Sequence, residues 1–319
     1  MQALVTGAAG FLGSHIVEAL LARGDNVVAL DHRLNGKALT ASTLARVQPI
    51  EADILAADAV ERAARGCAAI FHCAAIVGVD AYVDRPTQTM ETEVFGLRNV
   101  CAASRAQGRP GPIVITCSSS AVYGHAGGAE PLDEIMEVAP VSTYGIAKRF
   151  GELYLAAQYA EHGLRSAAMR IFNIYGPFQD ERLVLPRFIR CAIGGQPLEI
   201  YDSGVQTRDF VFVADVVATM LAAASSVDGA ELINACSGDE TSVLELAQLA
   251  ISLSGSTSLI VEKPRPERRK PFEVQRSWGS RARLETLFGP LPRTPLSEGV
   301  RRTIESMRRE RSGQRRVQL

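Results

Sequence analysis

The chain has 319 residues, of which 47% are hydrophobic and 22% charged, and its formal net charge is −1 at pH 7. This composition can form a large core in one or two domains. A net charge near zero gives no electrostatic reason to expect binding to nucleic acid or to an anionic membrane. No signal pattern precedes the first predicted strand, and no apolar run approaches the ~20 residues of a spanning helix. We therefore expect neither a nucleic-acid nor a membrane partner.

The six cysteines and five histidines are scattered along the chain. The cysteines lie mostly in apolar runs and form no C-x-x-C pair, which predicts buried thiols in a reducing compartment. The histidines show no metal-ligand spacing. We expect a cytoplasmic enzyme without a metal centre.

The first predicted element is a short apolar strand, which is followed by the stretch TGAAGFLGSH at residues 6–15 and then by an amphipathic helix. In such a strand-turn-helix unit, Gly7 permits a tight turn, Gly10 lets a pyrophosphate approach the backbone, and Gly13 lets the helix pack on the strand. Free amides at the positive end of the helix then bind the phosphates. The stretch predicts a dinucleotide site, and the alternative is an ordinary glycine-rich turn.

The second predicted strand, 26–30, stops at Asp31, which lies 24 residues after Gly7. That separation suits an acid that accepts hydrogen bonds from the adenosine ribose hydroxyls. A carboxylate there would repel a 2′-phosphate, so the sequence favours NAD over NADP. Nearby Arg33 leaves NADP open, and a solvated aspartate at a strand end is the alternative.

Apolar runs continue to alternate with helical patterns, which predicts a parallel sheet with helices on both faces. The predicted strands are 47–51, 69–73, 113–117 and 164–172, and the predicted helices are 89–107 and 144–161. Beyond Asn173 the alternation loosens, with helices predicted at 185–193, 215–225, 242–254 and from 297, strands at 198–201, 210–213, 232–236 and 259–262, and a loop at 263–271. The arginine-rich stretch 301–316 is interpreted as a solvated helix face and tail.

The predicted helix 144–161 begins with YGIAK, which places Tyr144 and Lys148 on one helical face. A free tyrosine has a pKa of about 10, but a nearby lysine and an oxidised nicotinamide both favour the phenolate. Tyr144 could then take a proton from a sugar hydroxyl while hydride leaves the same carbon. Ser119, at a strand end, could bond the same oxygen. A surface Tyr/Lys pair is the alternative.

These motifs together resemble the extended short-chain dehydrogenase/reductases, and specifically the NAD-dependent sugar-nucleotide epimerases and dehydratases. The resemblance spans nearly the whole chain. The motifs that carry it are TGAAGFLGSH at 6–15, Asp31 with Gly36, Asp53-Ile54, HCAA at 72–75, SSSAVYG at 118–124, YGIAK at 144–148, RIFNIYGP at 170–177 and RDFVFVADV at 208–216.

The resemblance implies the roles of individual residues. The cofactor-binding set is Gly7, Gly10, Phe11, Leu12 and Gly13 at the pyrophosphate, Asp31 at the ribose, Asp53 and Ile54 at the adenine, Ala74 and Ala75 along the cofactor, and Tyr144 and Lys148 at its nicotinamide end. The implied catalytic residues are Ser119, Tyr144 and Lys148. Ser119, Asn173 and Arg208 would bind substrate, the last two at its diphosphate.

The resemblance also implies the architecture, an α/β fold with a Rossmann-type doubly wound parallel sheet and a smaller C-terminal α/β substrate-binding region. We expect the NAD-binding domain to cover 1–173, with 210–237 returning to it. The substrate-binding domain would comprise 174–209 and 238–319. The family commonly dimerises through two helices, here 89–107 and 144–161, so a homodimer is expected.

The residues that follow Ser119 favour one reaction within this family. Its dehydratases and decarboxylases carry Asp-Glu or Glu just after the catalytic Ser/Thr, whereas this chain has Ser120 and Ala121. Without that carboxylate, reversible hydride transfer remains, which indicates an NAD-dependent nucleotide-sugar 4-epimerase acting on a UDP-hexose. The alternatives are an NAD(P)H-dependent reductase of 4-keto-6-deoxy nucleotide sugars and a non-catalytic NAD-binding protein.

Three departures from the family pattern are interpreted as changes on the substrate side that leave the redox machinery intact. They are Glu93 in place of the Asn of an N-V-x-G motif, Leu183 in place of an Asn, and Arg268, Lys270-Pro271 and Trp278 in the region of R-x-G-D and a later Asp. They leave the nucleotide base and the sugar open. Arg268 and Gln275 are predicted to line the substrate pocket.

Overall fold

The computed structural model describes residues 1–36, 39–76, 78, 83–267 and 273–312. Its main sheet has seven strands in the spatial order β3-β2-β1-β4-β5-β6-β11, and each neighbouring pair is parallel. These strands are β1 Gln2–Thr6, β2 Asn26–Asp31, β3 Gln48–Glu51, β4 Ala69–His72, β5 Ile113–Ser119, β6 Ser166–Ile171 and β11 Ala230–Ala235. The predicted doubly wound α/β fold is confirmed.

Ten α-helices accompany the strands in the described ranges. They are α1 Phe11–Ala22, α2 Ala41–Leu44, α3 Ala57–Ala64, α4 Pro86–Ala106, α5 Thr143–His162, α6 Val184–Ile193, α7 Val213–Ser226, α8 Val243–Ser254, α9 Ala282–Phe288 and α10 Leu296–Arg311. Across those same ranges, no helix combines the length and the apolarity that crossing a membrane requires.

The central strands are buried on both faces, which explains their nearly continuous apolar sequences. Successive side chains point to opposite sides. Val5 of β1 therefore packs with Ile16 of α1 and Met220 of α7 on one face. Leu4 packs with Val100 of α4 on the other face.

The order of strands reverses between β1 and β4, and a crevice opens at such a point at the carboxyl ends of the strands. The glycine turn after β1 lies at this crevice. Gly7 has a φ of 65°, and a Cβ there would lie 2.6 Å from the backbone nitrogen of Ala74. A Cβ on Gly13 would lie 2.1 Å from the Gly7 carbonyl oxygen, so α1 contacts the turn backbone to backbone.

The C-terminal part of the chain forms short strand pairs beside helices. These strands are β7 Asn173–Tyr175, β8 Leu198–Tyr201, β9 Thr207–Arg208, β10 Phe210–Phe212, β12 Thr241–Ser242 and β13 Ile260–Lys263. β8 pairs with β13 and β7 with β10 in parallel, whereas β9 and β12 are antiparallel. Helices α6, α8 and α10 pack on one another beside them. The division into two domains stays a prediction.

Most predicted elements lie within a few residues of their observed bounds. The clearest differences are that β5 continues through Ser119 and that α4 begins at Pro86. Helix α3 was not predicted because its buried face consists of three alanines and a valine, which give a weak apolar signal. Helix α9 was not predicted either, and it buries only Leu284.

Candidate active site

The glycine turn presents the start of α1 to the crevice. Gly10 is the N-cap residue of α1 and has no side chain with which to cap it. The first amides of a helix have no partner within the helix, and they attract anions. Phe11 and Leu12, both half-buried, form the beginning of this helix. The turn therefore places the uncapped start of α1 where the sequence predicts a pyrophosphate.

Asp31 ends β2 beside the same turn. Its Oδ2 accepts a hydrogen bond of 3.0 Å from the Ala9 amide, and its Oδ1 accepts one of 3.3 Å from the Arg33 amide. The His32 ring nitrogen Nδ1 lies 2.8 Å from Oδ1. The carboxylate is buried, whereas Arg33 is exposed. The structure thus brings the predicted ribose ligand next to the predicted pyrophosphate site.

The residues predicted at the adenine differ from each other in exposure. Asp53 is exposed, and its Oδ1 accepts a hydrogen bond of 2.9 Å from the Leu55 amide. The Ile54 side chain lies in the core between the sheet and α4. Asp53 is therefore the member of the pair whose side chain is open to a ligand. Ala74 and Ala75 follow β4 and are half-buried, and the Ala74 backbone packs against Gly7.

Ser119, Tyr144 and Lys148 converge at the carboxyl end of β5. Ser142 caps α5 by accepting a hydrogen bond of 3.0 Å from the Gly145 amide, so Tyr144 lies in the first turn. The Ser119 side chain lies near the Tyr144 hydroxyl and favours its ionised form, which lowers the pKa of that group. One turn later, Lys148 places Nζ 5.4 Å from the centre of the Tyr144 ring. The sequence predicted this arrangement of a phenol, a serine hydroxyl and an ammonium.

The pKa of Tyr144 reflects opposing effects. Burial raises it, the positive charge of Lys148 lowers it, and the charge of Glu93 raises it again, so the pKa lies above the ordinary value of 10. Burial alone would lower the pKa of Lys148, but Glu93 and Tyr144 more than offset this, and the pKa is raised. Lys148 is therefore a permanent cation beside the phenol at neutral pH.

The partner of that cation is Glu93, on α4. Its Oε2 lies 2.7 Å from the Lys148 Nζ, and the two side chains are 5% and 6% exposed. The interpretation of Glu93 as a substrate-side change that leaves the redox machinery intact was therefore wrong. It was wrong because this face of α4 packs on α5.

A cavity of about 10 Å³ lies next to this ion pair. His72 of β4 lines it, and its Nδ1 lies 2.8 Å from the Thr6 hydroxyl. Burial and the nearby Lys148 charge lower the pKa of His72 to about 3. His72 is therefore a neutral ring that adds no charge to the site.

A second buried ion pair lies next to the site and joins α5 to the sheet. Glu152 of α5 accepts hydrogen bonds of 2.8 and 2.9 Å from Nε and Nη2 of Arg170 on β6. Ser118, next to the predicted catalytic serine, donates a hydrogen bond of 2.6 Å to Glu152. This network, which sequence reasoning did not find, holds α5 in register with β5 and β6.

The predicted substrate residues lie where the C-terminal strands meet the sheet. The backbone amide of Asn173 donates a hydrogen bond of 2.9 Å to the backbone carbonyl of Asp209, which places Asn173 close to Arg208. Arg208 donates through Nη1 to the carbonyls of Thr207 and Val274, each at 2.6 Å, and through Nη2 to the Glu273 carboxylate at 2.9 Å.

Burial and the nearby charge of Arg265 lower the pKa of Arg208 to about 10, so the guanidinium remains cationic at neutral pH. Gln275 is exposed, and its carbonyl accepts a hydrogen bond of 2.9 Å from the Thr207 amide. Arg268 lies outside the described residues. The place of both residues in the substrate pocket stays a prediction.

Comparison with known proteins gives one consistent result. Residues 3–236 match the model of the NAD dependent epimerase/dehydratase family. The UDP-glucose 4-epimerase of Mycolicibacterium smegmatis is 34% identical over 315 residues, which cover 97% of this chain and 99% of that protein. The UDP-N-acetyl-alpha-D-glucosaminuronate decarboxylase of Bacillus cytotoxicus is 36% identical over 273 residues, or 82% of this chain and 83% of that one.

The fold is shared with solved structures as well. The crystal structure of UDP-glucose 4-epimerase from Thermotoga maritima with UDP-glucose has a TM-score of 0.89 and 30% sequence identity to this chain, and the match covers 97% of this chain and 99% of that one. The relatives by sequence thus include enzymes with different reactions.

Proposed function

The chain belongs to the NAD dependent epimerase/dehydratase family, and on that basis we propose that it is a nucleotide-sugar 4-epimerase whose substrate is a UDP-hexose. NAD is the cofactor of this family. The observation that carries the proposal is the convergence of Ser119, Tyr144 and Lys148, followed by Ser120 and Ala121 instead of a carboxylate.

The residues around the crevice fit NAD. The uncapped start of α1 and the close backbone packing at Gly7 and Gly13 suit a pyrophosphate. Asp31 beside the turn would accept bonds from the ribose, and Asp53, Ala74 and Ala75 would complete the binding surface. When bound, NAD supplies the group that accepts a hydride from the sugar and later returns it.

The proton chemistry falls to Tyr144. Its phenolic oxygen takes the proton of the C4 hydroxyl as C4 is oxidised and gives it back when the hydrogen returns to the other face. Lys148 stabilises the negative charge of the phenolate. Ser119 donates a hydrogen bond to the same sugar oxygen, which holds it as it becomes a carbonyl.

The residues after Ser119 separate epimerisation from decarboxylation, the reaction named for the relative in Bacillus cytotoxicus. Ser120 and Ala121 lie in a short 3-10 helix, and the Ala121 amide donates a hydrogen bond of 3.1 Å to the Ser119 hydroxyl. Neither side chain can act as an acid or a base, which supports hydride transfer without elimination.

Arg208 and Asn173 would bind the diphosphate of the substrate. A guanidinium suits phosphate oxygens, and Arg208 is held as a cation among carbonyls and the Glu273 carboxylate. Gln275 would line the sugar pocket, and Arg268 would also bind the substrate. The two relatives above act, by name, on UDP-sugars, which supports uridine as the base.

We further propose a homodimer formed by α4 and α5. These helices expose Phe95, Ile146 and Leu153, with 45%, 50% and 55% of each residue accessible. Clustered exposed apolar side chains mark interaction surfaces. A second copy that presents the same helices would cover them.

All six cysteines are free thiols, which supports a reducing, cytoplasmic location.

The proposal is tested by incubating the purified protein with UDP-, dTDP-, GDP- and CDP-sugars without added cofactor. We expect UDP-glucose to be converted to UDP-galactose over many turnovers, since the cofactor is regenerated in each cycle. A need for added NAD(P)H would favour the reductase, and release of carbon dioxide or a 4-keto-6-deoxy product would favour elimination. Loss of turnover in Tyr144→Phe, with NAD binding retained, would assign the base.

A further inference from the structure

The buried contact between Glu93 and Lys148 has no role in the function proposed above. The carboxylate and the ammonium face each other across two packed helices at 2.7 Å, and both are almost inaccessible to water. Among the described residues, the second carboxylate oxygen of Glu93 is buried without a hydrogen-bond partner. A carboxylate in such a position is costly unless a cation neutralises it, so Glu93 and Lys148 depend on each other.

Lys148 is shared between two groups. One side of its ammonium contacts Glu93, and the other faces the Tyr144 ring, whose centre is 5.4 Å away. A negative charge on Glu93 therefore cancels part of the field that Lys148 exerts on the phenol. Because water is excluded from this region, the cancellation is weakly screened.

Among the titratable groups around Lys148 and Tyr144, Glu93 is the main source of negative charge. His72 is neutral because burial lowers its pKa to about 3. Glu152 is paired with Arg170 at 2.8 Å. Cys117, on β5, donates a hydrogen bond to Cys73, which directly follows β4, with the two sulfurs 3.8 Å apart. The titratable groups that face Tyr144 or Lys148 are thus His72 at the end of β4, Cys73 directly after it, Cys117 on β5, Glu93 on α4 and Glu152 on α5.

We propose that Glu93 is a positioning residue that anchors Lys148 and, by partly neutralising its charge, sets the pH above which Tyr144 loses its own proton and can accept one from the sugar. The proposal rests on the function above, in which Tyr144 is the proton acceptor. Its consequence is specific to this chain. A neutral residue at position 93 would leave the full charge of Lys148 acting on the phenol, and Tyr144 would ionise at lower pH.

The test is a pH titration of Tyr144 that needs neither substrate nor turnover. Tyrosinate absorbance is recorded with and without NAD, and the same variant carrying Tyr144→Phe is subtracted to isolate one phenol. We expect Glu93→Gln, which keeps the shape and removes the charge, to lower the titration midpoint by about 1 pH unit. Glu93→Asp, which keeps the charge, should stay near the parent protein.

Glu91→Gln is the matched control, since Glu91 is exposed on the same helix. It should leave the midpoint unchanged. If Glu93→Gln does not fold, as judged by circular dichroism, Glu93→Asn provides a smaller neutral side chain. An unchanged or raised midpoint in the folded neutral variant would overturn the proposal.

The pH dependence of kcat is a second measurement, and it would not change if Glu93 only stabilised the fold. The pH profile of kcat should shift to lower pH in the neutral variant, with little change in KM. A shifted titration without epimerisation of any nucleotide sugar would contradict the proposed function and leave the role of Glu93 standing. Epimerisation with an unshifted titration would contradict only the role of Glu93.

Discussion

Glu152 and Arg170 form a bidentate ion pair, with N–O distances of 2.8 and 2.9 Å, that joins the helix of Tyr144 to the sheet. Arg170 is 1% exposed and also stacks on Tyr123, with the guanidinium carbon 4.8 Å from the ring centre. Removing one partner of such a pair leaves the other charge buried without compensation. The pair therefore couples the stability of the fold to the geometry of the site.

This ion pair gives a pH-dependent stability. Burial raises the pKa of Glu152, but hydrogen bonds from Arg170 and Ser118 more than reverse this and hold it below the ordinary value of 4.5. The stabilisation is thus present above pH 4.5 and is lost as the pH falls through the pKa of the folded state.

We expect Glu152→Gln to lower the free energy of unfolding at pH 7 by about 3–5 kcal/mol and to weaken its dependence on acid pH. Urea denaturation at neutral and acid pH measures both effects. Glu161→Gln, on the exposed part of the same helix, is the control and should change stability by less than about 0.5 kcal/mol. Equal effects of the two variants would contradict the structural role of the pair.

The packing of α1 on the glycine turn predicts intolerance at Gly13. An added Cβ would lie 2.1 Å from the Gly7 carbonyl oxygen, so the helix must move away from the turn. We expect Gly13→Ala to weaken NAD binding at least tenfold and to lower the thermal midpoint. Gly128→Ala is the control, because a Cβ there meets no atom within 4 Å. Similar NAD affinities for both variants would contradict the predicted site.

Asp31 is expected to set the choice of cofactor. Removing its charge with Asp31→Asn should weaken NAD binding by about 10- to 150-fold, since a hydrogen bond to a charged group contributes about 1.5–3 kcal/mol. The same change should reduce the ratio of NAD affinity to NADP affinity. Equilibrium binding of both cofactors, followed by fluorescence, measures the ratio. Arg33→Ala should leave NAD binding intact. Equal affinity of the parent protein for NAD and NADP would show that Arg33 outweighs the carboxylate.

The proposed dimer predicts that charges on the exposed faces of α4 and α5 prevent association. We expect the double variant Phe95→Glu and Leu153→Glu to be a monomer, and the parent protein a dimer, in sedimentation experiments. Ile135→Glu is the control, because Ile135 is 88% exposed but lies outside these helices. A monomeric parent protein, or a double variant that stays dimeric, would exclude this interface.

The sequence predicted those parts of the fold and the site that depend on neighbouring residues. The glycine turn and the Tyr144–Lys148 spacing are local patterns. Ser119 was assigned to the same site because it follows the end of a predicted strand and because the family resemblance implies its role. Glu93 was misjudged because its partner lies on another helix. The signal was present, since a carboxylate on the buried face of a helix needs a cation, and Lys148 was already predicted in the site.

The ligands of Arg208 could not be predicted for a related reason. Its contacts with Glu273 and Val274 join positions 65 and 66 residues apart. No helical or strand periodicity links such distant positions, so only the assembled fold brings them together. The same holds for the ion pair between Arg170 on β6 and Glu152 on α5.

The most direct test of the account follows the hydrogen at C4. UDP-glucose labelled with deuterium at C4 is incubated with the protein as purified, without added cofactor, and the products are analysed by nuclear magnetic resonance. We expect UDP-galactose that keeps the label at C4, and a rate lower by about 10²–10⁴ in Tyr144→Phe. Loss of the label to water, or full activity of the Tyr144→Phe variant, would contradict hydride transfer assisted by Tyr144.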